Sequence, residues 1–267
     1  MFQITIPFLY LFAGAGFALG RLPQHESRSG ALTAAAFALC AVSVALHVYL
    51  LTMVLMPGGV GITLATAVSL IGLQLGVIAF LSALNENLRG VSAGMLLLAA
   101  VTSMATGTGD VTGDAAPMTW QIRTHVLTSM FAYGLLTVGA IVAIYALIQD
   151  RRLRAGRLTA ANYLFAPLDT TEKLLFALTA AGFTVLAFSI VSGITFVEDL
   201  FAQHLVHKTA LSLVAVLLFG ILLAGRQFAG WRGRQAIYLY LAAFTALGLS
   251  YFGSRFILEE VLGRSWG

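Results

Sequence analysis

The sequence predicts an all-α membrane protein, a polytopic bundle of about eight transmembrane helices with both termini outside. Three observations carry that prediction. Hydrophobic residues make up 59% of the 267 and charged residues 10%, with a mean hydropathy of +0.92; a soluble domain carries about 25% charge. The apolar residues gather into stretches close to the roughly 20 that a helix needs to cross a bilayer. The basic residues alternate between connections, dense in the odd-numbered ones and sparse in the even ones, which is the positive-inside pattern.

Eight stretches qualify, taken in chain order. Ile4–Gly20 lacks a basic leading segment and a persuasive small-residue cleavage site, so it reads as a retained first span rather than a signal peptide. Gly30–Met53 and Ile62–Leu84 are full-length spans. Val91–Ala105 is the weakest, short and running into Gly, Thr and Asp residues. Ile122–Ile148 is long, so it tilts or extends beyond the bilayer. Leu174–Val197, Leu205–Gly225 and Ala236–Leu258 complete the set. The longest polar connection, roughly Gln149 to Lys173, is too small for a core of its own. Residues 1–267 are therefore expected to form a single integral membrane domain whose partner is the lipid bilayer.

Orientation follows from the charges. Eleven of the fifteen Lys and Arg residues fall in odd loops, among them Arg21, Arg28, Arg89, Arg151, Arg226 and Arg234. Those loops are expected to be cytoplasmic. Such scattered loop charges report topology and are no footprint for nucleic acid. The single cysteine, Cys40, excludes an intramolecular disulfide and a CxxC pair, and reads as a small buried hydrophobe. Gly16/Gly20 and Gly72/Gly76 match the GxxxG spacing and read as close helix packing. Asp169-Thr-Thr-Glu172 reads as a helix N-cap with its capping-box acid.

Four of the five histidines remain. His47 falls near the outer end of span 2, His125 opens span 5, and His204 and His207 begin span 7. All four sit near one face, and the last two share a helix face. His25 lies in a cytoplasmic loop and reads as solvated. An ionisable side chain inside a span is costly and marks a functional site by default. Neutral imidazole is the commonest protein ligand for a metal or a haem iron. His47 and His125 are candidates for one iron between spans 2 and 5. His204 and His207 are candidates for the other side or a second haem, or are interfacial histidines in contact with water. Zinc competes less well, since no cysteine is available on the outer side.

Arg123, Lys208 and Arg255 stand on the outer side against the charge bias. Ion pairing with Glu198, Asp199 and Glu259 accounts for them, and so does a bound anion such as the propionates of haem. His125, Ser129 and Tyr133 form a polar stripe at i, i+4 and i+8 that should face the bundle interior. Ser129 and Tyr133 read as interhelical hydrogen-bonders and His125 as a ligand. No phosphate loop, nucleophile elbow or HExxH motif is present, so no enzymatic activity is expected. Gln74, polar and mid-span, keeps a small-solute transporter open as a weaker reading.

Several segments together carry a resemblance. His125-Val-Leu-Thr-Ser129 with Tyr133, His207-Lys-Thr-Ala-Leu-Ser212, and Gly230-Trp-Arg-Gly-Arg234 followed by Tyr251-Phe-Gly-Ser-Arg255 look like the cytochrome c assembly membrane proteins of the CcsA, CcmC and CcmF type. The likeness is strongest over residues 118–260 and is closest to their short YpjD/HemX-like branch. It implies a haem-binding helix bundle in the bacterial inner membrane, holding or delivering non-covalent b-type haem at the outer face. Other cytochrome c maturation or haem-delivery proteins would be its partners. By position, His125 matches the family histidine that opens this span, and His47 resembles one in an earlier span of the short branch. His207 and Lys208 stand where larger members end their tryptophan-rich WWD motif. That motif is missing: no Trp lies between Phe196 and Val206. Full cytochrome c synthetase activity is therefore not expected. The alternative is a HemX-like regulatory or scaffold protein without haem handling.

Overall fold

The computed structural model describes residues 2–55, 64–105, 119–156, 166–196 and 206–250. Each predicted span contains a helix: α1 Phe2–Leu19, α2 Ser29–Leu55, α3 Leu64–Ala83, α4 Arg89–Ser103, α5 Trp120–Arg154, α6 Leu168–Phe196, α7 Val206–Ala229 and α8 Arg234–Gly248. The chain is an all-α polytopic membrane bundle. Among the described residues five helices, α2, α3, α5, α6 and α7, are long and apolar enough to cross a membrane. By contrast α4 and α8 have 15 residues each as described, about 22 Å. That is short of a hydrocarbon core about 30 Å thick. With 35 residues, α5 is about 52 Å long and runs well past that core.

The helices close into two rings of four. Contacts α1–α2, α2–α3, α3–α4 and α4–α1 make the first ring; α5–α6, α6–α7, α7–α8 and α8–α5 make the second; α3 packs on α5 to join them. Lipid supplies no hydrophobic drive between helices, so association relies on close packing and hydrogen bonds. Both are visible. Gly16 lets α2 approach: a Cβ there would lie 2.9 Å from the Cβ of Ala36. Gly72 does the same for Thr102 of α4, and Gly76 for Tyr10 of α1. Both GxxxG pairs thus act in packing. Between the rings, the Gln74 side chain lies directly on Gly134.

Capping residues set the helix ends. Thr119 accepts from the Ile122 N–H and opens α5, and Arg151, Arg152 and Arg154 complement the dipole at its other end. Ser29 donates to the Gly20 carbonyl at 2.6 Å and closes the α1–α2 turn. Arg21 donates to the Glu86 carbonyl, tying that turn to the α3–α4 turn. Partial burial lowers its guanidinium from the usual value.

The expected capping box is corrected. Helix α6 begins at Leu168, so Asp169 already lies in its first turn and pairs with Lys173 at 2.6 Å. Glu172 accepts from the Gly233 N–H at 2.9 Å instead of reaching back to its own helix start. The acid thus caps the start of α8, where Gly233 is the N-cap residue at φ 67°. His25 also differs from the expectation. It is half-buried in a short 3-10 segment, Pro23–Arg28, rather than fully solvated.

One contact carries a direct test. The Tyr240 hydroxyl of α8 donates to the Leu136 carbonyl of α5 at 2.7 Å and occupies the space beside Gly139. Gly139→Ala is expected to destabilise the bundle by about 1–3 kcal/mol through overpacking. Tyr240→Phe should cost about 0.6 kcal/mol, typical of a hydrogen bond in a membrane protein. The double variant should fall short of the sum, because removing the hydroxyl relieves the clash. Thermal unfolding of the four proteins in detergent measures the coupling.

Candidate functional site

Two of the four candidate histidines lie within the described residues, side chains included, and both sit near the same end of the bundle. His47 stands eight residues before the end of α2 and His125 five residues after the start of α5. These are depths of about 12 Å and 8 Å.

The seat of His47 follows from one stripe of α2. Ala36, Cys40, Ser43, His47 and Leu51 recur at helical spacing and are all buried. His47 is 0% exposed. Its Nδ1 pairs with the Tyr10 hydroxyl of α1 at 3.3 Å, and its Nε2 with the Ser69 hydroxyl of α3 at 2.8 Å. The Tyr10 ring meets the imidazole edge-on, with centroids 5.9 Å apart. Gly76 makes room for Tyr10: a Cβ there would lie 2.6 Å from the tyrosine Oη. Both ring nitrogens are thus engaged inside the first ring, as a buried imidazole requires.

The seat of His125 lies in the second ring, between α5 and α6. Its Nδ1 pairs with Ser192 Oγ at 2.9 Å. Gly193 lets the ring approach, since a Cβ there would lie 2.9 Å from Cε1. Ser192 Oγ also donates to the Ser189 carbonyl at 2.8 Å. A hydroxyl has one proton. With that proton on the Ser189 carbonyl, the oxygen accepts from His125 Nδ1–H. One turn along, Ser129 donates to the His125 carbonyl at 2.7 Å and meets Ser189 Oγ at 2.5 Å. One turn further, Tyr133 donates to the Leu247 carbonyl of α8. The predicted stripe therefore faces the bundle interior and serves two seams, with His125 and Ser129 on α6 and Tyr133 on α8.

The two histidines occupy different interfaces: His47 lies against α1 and α3, His125 against α6. Among the described residues no three His, Cys, Asp or Glu side chains gather around one point where a metal ion would sit. His207 and Lys208 lie in the first turn of α7 and Arg123 in that of α5, with side chains outside the described residues. His204 and Arg255 lie outside them altogether, as do Glu198, Asp199 and Glu259. Gln74 sits at the α3–α5 junction, 7% exposed, and its Oε1 has no hydrogen-bond partner.

Tyr10, Ser69, Ser189 and Ser192 were not singled out from sequence. Ser189, Ser192 and Gly193 do form a small-residue patch on one face of an otherwise apolar helix. That was the available signal. Tyr10 and Ser69 lie 37 and 22 residues from His47 and left no local trace.

Comparison with known proteins bears on this arrangement. The cytochrome C assembly protein family matches residues 30–262. Inner membrane protein YpjD of Escherichia coli K12 is 31% identical over 137 residues, covering 51% of this chain and 52% of the relative. An uncharacterized 28.8 kDa protein of Azospirillum brasilense is 32% identical over 155 residues, 57% of each chain. The cytochrome c biogenesis protein CcsA of Synechococcus is 23% identical over 173 residues, covering 52% of this chain and 57% of that protein. The chain thus spans about half the length of these relatives. No solved structure matches it.

The His47 seat makes a stability prediction. His47→Leu takes from the buried Tyr10 hydroxyl its imidazole partner, and such an orphaned group costs about 1–3 kcal/mol. Adding Tyr10→Phe removes the orphan and should restore much of the loss. Unfolding midpoints of the single and double variants check this.

Proposed function

The chain belongs to the cytochrome C assembly protein family, and on that premise we propose that it is a non-enzymatic haem-binding protein. It holds or delivers haem at the outer face of the membrane through histidine ligation. It is a multi-pass protein of the bacterial inner membrane. The reading includes eight spans with both termini outside, and membership of the short branch that lacks the tryptophan-rich motif.

His125 carries the reading. Its Nδ1 pairs with Ser192 Oγ across the α5–α6 interface, which orients the ring. A ligating histidine is held in place by such an oxygen on its other ring nitrogen. His204 and His207 are the candidates for a second axial ligand. Arg123, Lys208 and Arg255 are the candidates for the propionates, since all three fall near the same ends of their spans. His47 would ligate only by giving up Tyr10 or Ser69. Haem, when bound, supplies an iron porphyrin to be kept or passed on. The chain's own contribution is to orient the imidazole and seat it among apolar helices.

One observation favours a second reading, a regulatory or scaffold membrane protein without haem. The His47 imidazole and the Ser129–Ser189 pair are already satisfied within the bundle. The expected outcome for haem binding is a b-type Soret and α-band in the reduced-minus-oxidised spectrum of the purified protein. His125→Ala should abolish both bands, while Ser129→Ala keeps them. A colourless protein from haem-replete cells would overturn the haem reading and favour the scaffold.

A further inference from the structure

The end of the second ring opposite His125 carries a concentrated positive charge. Arg151, Arg152 and Arg154 close α5, Arg226 lies in the last turn of α7, and Arg232 and Arg234 flank the turn into α8. The acids there are already engaged. Asp150 pairs with Arg154 at 3.1 Å and Arg234 at 3.6 Å. Asp169 pairs with Lys173, and Glu172 accepts from the Gly233 N–H. Arg226 donates to the Trp231 carbonyl at 3.1 Å and lies over the Phe176 ring at 4.6 Å. Arg232 is exposed and, among the described residues, forms no ion pair.

A topology signal needs basic residues in a loop and nothing more. This turn is built. Gly230 and Gly233 take φ of 65° and 67°, a region that favours glycine. Trp231 folds back onto Gly225, where a Cβ would enter its indole, and the Trp231 backbone N–H donates to the Gly225 carbonyl at 3.0 Å. Phe228, 86% exposed, lies in the last turn of an apolar helix. The turn therefore combines a fixed guanidinium group at Arg226, an exposed one at Arg232, a half-buried indole and an exposed aromatic ring where a membrane-crossing helix ends. That set matches the headgroup boundary of a bilayer, where arginine meets phosphate and aromatic rings meet the upper acyl chains.

We propose that the α7–α8 turn is a binding site for an anionic phospholipid, with the headgroup phosphate at Arg226 and Arg232 and the acyl region against Phe228 and Trp231. The site does not depend on which leaflet faces this end, nor on haem. Its chemistry selects anionic over zwitterionic lipid, because phosphatidylcholine presents a cation beside its phosphate.

Tryptophan quenching by brominated lipid tests it on the full-length protein in nanodiscs. The Trp231 signal is the difference between the native protein and Trp231→Phe, which removes the contribution of Trp120 and Trp266. Brominated phosphatidylglycerol should quench Trp231 at about one-fifth the mole fraction that brominated phosphatidylcholine needs, the preference expected from one arginine near an anionic surface. Arg232→Gln should bring the two lipids to the same value. Equal quenching by both lipids in the native protein would overturn the proposal without any variant, and so would an unchanged preference in Arg232→Gln.

Discussion

A bilayer offers a hydroxyl or an imidazole no water to bond, and the arrangement of this bundle depends on that constraint. Every polar side chain inside a span needs a partner on its own helix or on another. Thr137, Thr179 and Thr184 use the carbonyl one turn back on their own helices. Tyr10, His47, Tyr133, His125 and Tyr240 use neighbouring helices. The second group fixes which helices touch and in what register. Along α5 and α6, His125 meets Ser192 and Ser129 meets Ser189, so an antiparallel pairing is set by two polar contacts one turn apart.

The two rings use their histidines differently. In the first, the imidazole is sealed on both nitrogens and acts as a crosspiece between α1 and α3. In the second, the imidazole meets the Ser192 hydroxyl across the α5–α6 seam, and that hydroxyl also reaches the Ser189 carbonyl. The rings meet where α3 packs on α5, and there Gln74 lies against Gly134 with its Oε1 unpartnered. A buried acceptor without a donor weakens a junction, so this contact is less firmly held than the seams inside each ring.

The helices were legible because composition and the spacing of apolar runs fix membrane spans almost alone; each of the eight expected segments holds a helix. The α5 stripe was legible because period 3.6 is a local property. What sequence could not supply was the partner. Ser192 lies 67 residues from His125 and Leu247 lies 114 from Tyr133, and only packing brings them together. The same limit explains Glu172. Its spacing from Asp169 matched a capping box, yet the α7–α8 turn lies close enough to take its carboxylate. His47 and His125 looked equivalent as apolar-span histidines, and their neighbours make them unlike.

In the proposed haem-binding role, the interhelical Ser192 orients His125 for ligation. The most direct measurement is the haem reduction potential of Ser192→Ala beside that of the native protein. If Ser192 anchors Nδ1–H, the variant keeps its haem and the potential shifts, because the ligand loses the oxygen that orients the ring and raises its basicity. An unchanged potential and spectrum in Ser192→Ala would contradict the account, leaving the serine a packing residue with no hold on the histidine.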